Sequence, residues 1–134
     1  MIKLNFLDHV AIRASDMEIS AQWYEKTLGM KRYQFKEWGP FPLFLLSGKF
    51  GVAIFPADNS LPAIGKKYKG VKIDHFAFNV DSENFAKAKL HYEKLGLEYY
   101  IEDHVFTHSI YTKDPDGHTV ELTTLVVEEK DFYK

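Results

Sequence analysis

Two histidines and one glutamate stand out because their side chains can bind a metal ion and because each lies in a strand-like stretch. His9 follows Asp8 in Leu7–Ile12, and His75 follows Asp74 in the similar stretch Ile73–Phe78. Glu121 lies in the middle of a later alternating stretch. A carboxylate in the middle of a strand is disfavoured unless it is paired or bound to a metal. The sequence therefore predicts that this glutamate has a partner.

A turn signal precedes Glu121. Asp114-Pro115-Asp116-Gly117 combines a proline, which fixes φ, with a glycine that can adopt the positive φ needed to reverse the chain. The residues on both sides alternate as in strands, so the stretch predicts a β-hairpin. Before the turn Ser109, Tyr111 and Lys113 fall on one face of their strand. After the turn Thr119, Glu121 and Thr123 fall on one face, and Val120 and Leu122 take the other.

The chain repeats itself after about half of its length. The two histidines are 66 residues apart, Tyr24 and Tyr92 are 68 apart, and Gly29 and Gly96 are 67 apart. Both copies contain a strand, a helix that ends at one of these glycines, and then three more strands. A repeat at this spacing indicates an internal duplication. One copy is too small to bury one side of its sheet alone, so the copies must pack together or exchange with another chain.

The elements that position these residues have predictable bounds. A capping box, Ser15 followed three residues later by Glu18, predicts the start of the first helix, and either Asp81 or Ser82 is the predicted N-cap of the second. The predicted strands of the first copy are 6–14, 32–38, 41–47 and 51–55, and the linker that follows them is 56–70.

Composition restricts the class of protein. The 134 residues suffice for one domain with a buried core. No cysteine is present, which excludes disulfides and thiolate sites. The formal charge of −2 shows no basic surface for nucleic acid or anionic membranes, and no apolar run is long enough to be a signal peptide or a membrane span. We expect a soluble cytoplasmic protein without nucleic-acid or membrane partners.

A β-α-β-β-β unit used twice, with a histidine on each first strand and a glutamate on the last strand of the second copy, resembles the vicinal oxygen chelate superfamily. That superfamily includes glyoxalase I, extradiol dioxygenases, fosfomycin-resistance thiol transferases and bleomycin-resistance binding proteins. The resemblance implies an α+β fold in which two tandem βαβββ modules form a cupped mixed sheet with a helix outside each. It implies one domain over residues 1–134, with modules at about 5–58 and 71–127 and a linker at 59–70. A homodimer is also expected.

The same resemblance implies the site. His9, His75 and Glu121 would hold one divalent metal per site, with Fe²⁺ or Mn²⁺ preferred and Zn²⁺ or Ni²⁺ possible. Tyr111 would hydrogen-bond a small substrate that chelates the metal through adjacent oxygens, and His104 would assist from behind it. Residues 51–55, where glyoxalase I would place a fourth ligand, are Gly, Val, Ala, Ile and Phe. This departure favours the three-ligand pattern of dioxygenases and fosfomycin enzymes.

Aromatic residues on the predicted cup strands could form an apolar pocket for a planar ligand, and we predict that Trp38, Phe50 and Phe106 contact substrate. The preferred function is a dioxygenase-like enzyme. Two alternatives remain, namely a glyoxalase-like lyase or thiol transferase of the fosfomycin-resistance type, and a non-enzymatic binder of the bleomycin-resistance type. The only arginines are Arg13 and Arg32, so an anionic phosphonate substrate, which calls for arginine forks, is not supported.

Overall fold

The computed structural model describes residues 1–61 and 70–133. The chain divides into two compact units, Met1–Val71 and Lys72–Lys134, and each contains one β-α-β-β-β module. The prediction of an α+β fold with two such modules is confirmed. No helix in the described part of the chain has both the length and the apolar character needed to cross a membrane.

Module one consists of the strands and the helix of the first unit. Its elements are β1 (His9–Ala14), α1 (Met17–Leu28), β2 (Lys31–Tyr33), β3 (Leu43–Ser47) and β4 (Phe50–Pro56). The sheet order is β1-β4-β3-β2, in which β1 runs parallel to β4 and the other pairs are antiparallel. Helix α1 packs on β3 and β4, over a core that includes Ile12, Leu45, Val52 and Ile54.

Module two has the same architecture. Its elements are β5 (His75–Asn79), α2 (Ser82–Leu95), β6 (Tyr99–Asp103), β7 (Thr107–Lys113) and β8 (Thr119–Leu125), and a short helix α3 (Glu129–Phe132) follows. The sheet order β5-β8-β7-β6 repeats that of module one. Ile110, Val120 and Leu122 are buried on the face of the sheet opposite to Glu121, and α2 packs on β8.

Both long helices begin at an aspartate and end at a glycine. The Asp16 side chain accepts a hydrogen bond from the Ile19 N–H, so the N-cap lies one residue after Ser15, where the capping-box pattern predicted it. Asp81 caps α2 in the same way, which confirms one of its two predicted caps. Gly29 and Gly96 adopt φ values of 65° and 70° at the C-termini, a conformation that glycine tolerates best.

Other predicted bounds need correction. Residues 32–38 are not one strand, because β2 ends at Tyr33 and a turn of 3₁₀ helix occupies Lys36–Trp38 before Gly39. The first strand begins at His9 rather than at residue 6, and β3 begins at Leu43, just after Pro42, which offers no backbone N–H for a sheet. Most of the predicted linker, residues 62–69, lies outside the described residues.

Candidate functional site

The register of module two brings the predicted site residues onto one face of its sheet. Ala77 of β5 and Tyr111 of β7 both pair with Glu121 of β8, and Tyr100 of β6 pairs with Tyr111. His75 precedes Ala77 by two residues and shares its face. The hairpin predicted around Asp114–Gly117 positions β7 and β8, with the Asp114 carboxylate accepting hydrogen bonds from the backbone N–H groups of residues 116 and 118.

His75 is the partner that Glu121 requires. Nε2 of His75 lies 2.9 Å from Oε2 of Glu121, whose side chain is only 9% exposed. On the other side of the ring, Nδ1 of His75 lies 2.8 Å from the Asp74 carboxylate. The hydrogen bond to Asp74, with a smaller contribution from the Glu121 charge, raises the pKa of His75 against the opposing effect of burial. The imidazole is therefore held between two carboxylates.

Tyr111 and His104 adjoin this pair. The His75 and Tyr111 rings meet edge to face, with centroids 5.7 Å apart. The Tyr111 hydroxyl lies 3.0 Å from Nε2 of His104, and the Tyr111 ring stacks on Tyr100 at 4.7 Å and 9°. Burial first, and then the Glu121 charge, raise the pKa of Tyr111. Tyr111 therefore presents a neutral hydroxyl near neutral pH, beside a buried carboxylate.

His9 occupies the equivalent position in module one. Its Nδ1 lies 2.7 Å from the Asp8 carboxylate, and its ring meets Phe44 edge to face at 5.3 Å. The predicted substrate residue Trp38 also packs against Phe44, and the centroids of these two rings are 5.3 Å apart. Trp38 is 48% exposed, so part of its ring is open to solvent.

The other two predicted substrate residues lie elsewhere. Phe50 directly precedes Gly51, the register partner of His9, so alternation places Phe50 on the opposite face of the module-one sheet. Phe106 lies in the turn after β6 and packs against Phe132 of α3, with ring centroids 6.3 Å apart. The role of Phe50 and Phe106 as substrate contacts remains a prediction.

An open cleft of about 750 Å³ lies where β6 and β7 approach the end of α2. The stacked rings of Tyr100 and Tyr111 contribute to its lining, so Tyr111 borders both this cleft and the His75–Glu121 pair. The residues that line the cleft are Gly96, Leu97, Glu98, Tyr99, Tyr100, Tyr111, Thr112 and Lys113. A planar group could enter the cleft beside the phenol.

The His75–Glu121 pair fits a divalent metal. Two ligand atoms about 2.1 Å from a metal and at right angles to each other lie about 3 Å apart, which matches the 2.9 Å between Nε2 and Oε2. In each module Nδ1 of the histidine bonds to the preceding aspartate, and metal-binding histidines are usually oriented in this way. Among the described residues no three His, Cys, Asp or Glu side chains are grouped to hold a metal. The three-residue ligand set stays a prediction.

Sequence reasoning gave no role to four residues of these clusters. Asp8 and Asp74 had a visible signal, because an aspartate precedes both duplicated histidines. Tyr100 could have been found only from the β6–β7 register, which places it opposite Tyr111. Glu102 lies 3.3 Å from His104, a contact that depends on the shape of the turn after β6.

Comparison with known proteins agrees with this architecture. The family model of the Glyoxalase/Bleomycin resistance protein/Dioxygenase superfamily matches residues 6–122. A probable trivalent organoarsenical cleaving enzyme of Bacillus subtilis is 30% identical over 122 residues, which cover 85% of this chain and 76% of that protein. Glutathione transferase FosA of Serratia marcescens is 26% identical over 121 residues, covering 89% and 80%.

Solved structures share the fold. Lactoylglutathione lyase from Agrobacterium tumefaciens aligns with a TM-score of 0.73 at 19% identity, covering 98% of both chains. A variant of the fosfomycin resistance protein FosX from Listeria monocytogenes, in complex with Mn(II), aligns with a TM-score of 0.68 at 20% identity, covering 98% of this chain and all of the other. The family match spans most of this sequence, and the chain belongs to the Glyoxalase/Bleomycin resistance protein/Dioxygenase superfamily.

Proposed function

We propose that this protein is a divalent-metal-dependent, dioxygenase-like enzyme that acts on a small substrate with two adjacent oxygen atoms. The observation that carries the proposal is the buried Glu121 carboxylate, 2.9 Å from His75, with the hydroxyl of Tyr111 held beside it by His104. A buried carboxylate facing an imidazole nitrogen is a ready pair of metal ligands, and a phenol next to it is a ready hydrogen-bond donor.

In this proposal His9, His75 and Glu121 hold the metal, and Asp8 and Asp74 orient the two imidazoles so that each Nε2 is the coordinating atom. When bound, the divalent ion supplies a Lewis-acid centre and, if it is iron or manganese, a binding position for O₂.

The remaining chemistry belongs to the side chains around Tyr111. Burial keeps this phenol protonated, so it can donate a hydrogen bond to a substrate oxygen on which negative charge develops. His104 holds the hydroxyl in place at 3.0 Å. Tyr100, stacked on the ring, keeps Tyr111 from rotating and supports a planar substrate in the adjoining cleft.

A phosphonate substrate is less well supported, because both arginines are engaged within module one. The Arg32 guanidinium forms paired hydrogen bonds with the carboxylates of Glu18 and Glu25, at 2.6 to 3.1 Å. Arg13 donates to the Pro56 carbonyl at 3.0 Å and lies over the Phe55 ring. A trivalent arsenical, which thiolates bind best, would find no cysteine in this sequence.

The proposal includes a homodimer. Both strands that carry a proposed ligand histidine, β1 and β5, lie at an edge of their own sheet, and edge strands are normally covered or paired. Analytical ultracentrifugation of the metal-free and metal-loaded protein tests this part, since a monomer at micromolar concentration in both states contradicts it.

The deciding experiment begins with elemental analysis of protein purified without chelator or affinity metal. Anaerobic loading with Fe(II), titration with catechol as a probe and measurement of O₂ uptake then follow. One iron or manganese per chain, a catechol-dependent absorbance change and O₂ uptake support the proposal. Stoichiometric zinc or nickel without O₂ uptake favours a lyase or transferase, and a chain that binds no metal favours a binding protein.

Two variants make this test specific. His75→Ala should lose the metal, because it removes the imidazole that faces Glu121. Glu98→Gln removes a carboxylate that precedes β6 and lines the cleft without being a proposed ligand, and it should retain the metal. A full metal equivalent in His75→Ala overturns the ligand assignment.

A further inference from the structure

The β6–β7 hairpin arranges two oxygen atoms around one nitrogen of His104. Nε2 lies 3.0 Å from the Tyr111 hydroxyl oxygen and 3.3 Å from Oε2 of Glu102. Glu102 and Tyr100 are two residues apart on β6, and Tyr100 pairs with Tyr111, so all these side chains start from one face of the sheet. The direction of the hydrogen bond between His104 and Tyr111 depends on whether Nε2 carries a hydrogen.

Hydrogen-bond chemistry at Nε2 has two possible directions, because a neutral imidazole carries its hydrogen on only one of its nitrogens. If Nε2 is protonated, it donates to the Tyr111 oxygen, and its N–H also faces the Glu102 carboxylate at an ion-pair distance of 3.3 Å. If Nε2 is bare, it can accept from Tyr111, but its lone pair then faces a carboxylate that can only accept. Glu102 therefore favours the tautomer with hydrogen on Nε2.

The direction at His104 determines the direction at Tyr111. When the phenol oxygen accepts from His104, its own hydrogen must point to another acceptor. Glu121 lies directly opposite Tyr111 on the neighbouring strand β8, and the Ser109 hydroxyl, two residues away on β7, already donates to Thr123 at 3.1 Å. The Glu121 carboxylate is thus the acceptor that the register places nearest to the Tyr111 hydrogen.

The backbone supplies an independent sign that this geometry is constrained. Val105, the residue after His104, has a φ of 72° although its branched side chain disfavours that region. Its N–H donates to the Asp103 carboxylate at 2.8 Å, and the His104 N–H donates to the Thr107 carbonyl at 2.8 Å. Backbone strain of this kind persists only where surrounding contacts fix it, and it concentrates at functional sites.

We propose that Glu102 is a positioning residue that holds His104 in its Nε2–H tautomer, and thereby directs the hydroxyl hydrogen of Tyr111 toward Glu121. His104 then acts on Tyr111 as a hydrogen-bond donor. This arrangement leaves the phenol oxygen supported from behind and its hydrogen on the side of the His75–Glu121 pair. The consequence for catalysis rests on the proposed function, whereas the tautomer is a property of the metal-free chain.

The test is ¹⁵N NMR of the imidazole side chains in uniformly labelled, metal-free protein, at a pH where His104 is neutral. The His104 signals are identified by their loss in His104→Gln. In the wild type we expect the pattern of an Nε2–H tautomer, with Nδ1 as the unprotonated nitrogen. A wild-type His104 that is predominantly Nδ1–H overturns the proposal without any further variant.

Variants then assign the cause. Glu102→Gln replaces the carboxylate with an amide that can donate, so the Nδ1–H population should rise, whereas Glu98→Gln, which removes a carboxylate elsewhere, should leave the wild-type pattern. Glu102→Asp should restore at least part of the Nε2–H population. If the tautomer is unchanged in Glu102→Gln, Glu102 does not set it, whether or not the tautomer changes in Tyr111→Phe.

Failure of this proposal and failure of the proposed function are distinguishable. The tautomer is measured without metal, so a chain that binds no metal or consumes no O₂ leaves this measurement intact. Conversely, an enzyme that binds iron through the predicted ligands while His104 is Nδ1–H keeps the proposed function and loses the role of Glu102.

Discussion

The two modules share one backbone plan, and two of the positions at which they differ lie beside the duplicated histidine. Register makes Ala53 the counterpart of Glu121, because Ala11 pairs with Ala53 as Ala77 pairs with Glu121. It also makes Phe44 the counterpart of Tyr111, because each pairs with that central position on β4 or β8. Both modules keep a histidine whose Nδ1 bonds to the preceding aspartate. The contrast between them separates what positions an imidazole from what gives it chemical partners.

Module one has the positioning without the polar groups. His9 meets the Phe44 ring edge to face, and module one has the buried Ala53 where module two has Glu121. His75, by contrast, meets the Tyr111 ring and the Glu121 carboxylate. Each side chain that distinguishes module two can therefore be removed singly and compared with a natural reference in the same molecule.

The largest expected effect is that of Glu121→Gln, which removes the carboxylate that module one lacks. Because changes even to groups behind a metal ligand weaken binding by about 10- to 100-fold, we expect Mn²⁺ affinity to fall by at least about 100-fold. Isothermal titration calorimetry measures this loss, with Glu98→Gln as the control for charge. Unchanged affinity would show that the metal does not use Glu121.

A comparison of Asp8→Asn with Asp74→Asn tests whether both histidines serve the same ion. If His9 and His75 are both ligands, each substitution should weaken Mn²⁺ binding by about tenfold, since both remove the group that orients an imidazole. The same calorimetric titration applies. Weaker binding in Asp74→Asn alone would confine the metal to module two and remove His9 from the ligand set.

Tyr111→Phe converts the pair in module two into the His–Phe pair of module one. The substitution keeps the ring and deletes the hydroxyl that bonds His104, so we expect a loss of about 1 kcal/mol in the free energy of unfolding of the metal-free protein. Urea denaturation measures it. Tyr100→Phe, which deletes the hydroxyl of the neighbouring stacked and half-exposed ring, should change stability less. Equal effects of the two would mean that the hydrogen bond to His104 contributes nothing measurable.

The turns between the second and third strands also differ. Module one uses Gly39 with a φ of 75° in this connection, whereas module two uses Val105 with a φ of 72°. Val105 is largely exposed, so Val105→Asn loses little burial and gains a residue that tolerates this conformation. We expect stabilisation of up to about 1 kcal/mol in urea denaturation. Destabilisation would indicate that the valine side chain has a packing role.

The smallest expected effect is a pH dependence of the metal-free protein. Asp74 raises the pKa of His75 in the folded state, so this pair stabilises the fold below the ordinary histidine pKa, about 6.5. That stability is lost as the pH rises through the higher folded pKa. Denaturation midpoints across this range, with a chelator present, should decline less in Asp74→Asn than in wild type. Identical declines would exclude a contribution from this pair.

Much of this site follows from the sequence, and the reason is its regularity. The alternation around Glu121 and the duplicated Asp-His stretches depend only on strand geometry and are visible in the sequence, and the family resemblance implied that His75 and Glu121 lie together. The start of α1 could not be assigned from its pattern, because Ser15 and Asp16 are both good caps and the local backbone selects Asp16.

The contact between Glu102 and His104 is of a different kind. It depends on the left-handed Val105, and a valine gives no signal for such a turn, whereas a glycine there would have. Likewise the 3₁₀ turn that contains Trp38 interrupts a stretch whose aromatic composition is typical of a strand. Tertiary contacts that fix an unfavourable local conformation are not visible in local propensity.

Gly51 and Ala53 bear on how module one could change during evolution. A methyl group on Gly51 would lie 2.0 Å from the Leu45 carbonyl oxygen, so the position opposite His9 is closed to any larger residue while β3 and β4 stay paired. At position 53, by contrast, a single base change in an alanine codon can encode glutamate. A single substitution at residue 53 would therefore place a carboxylate in module one at the position where module two has Glu121.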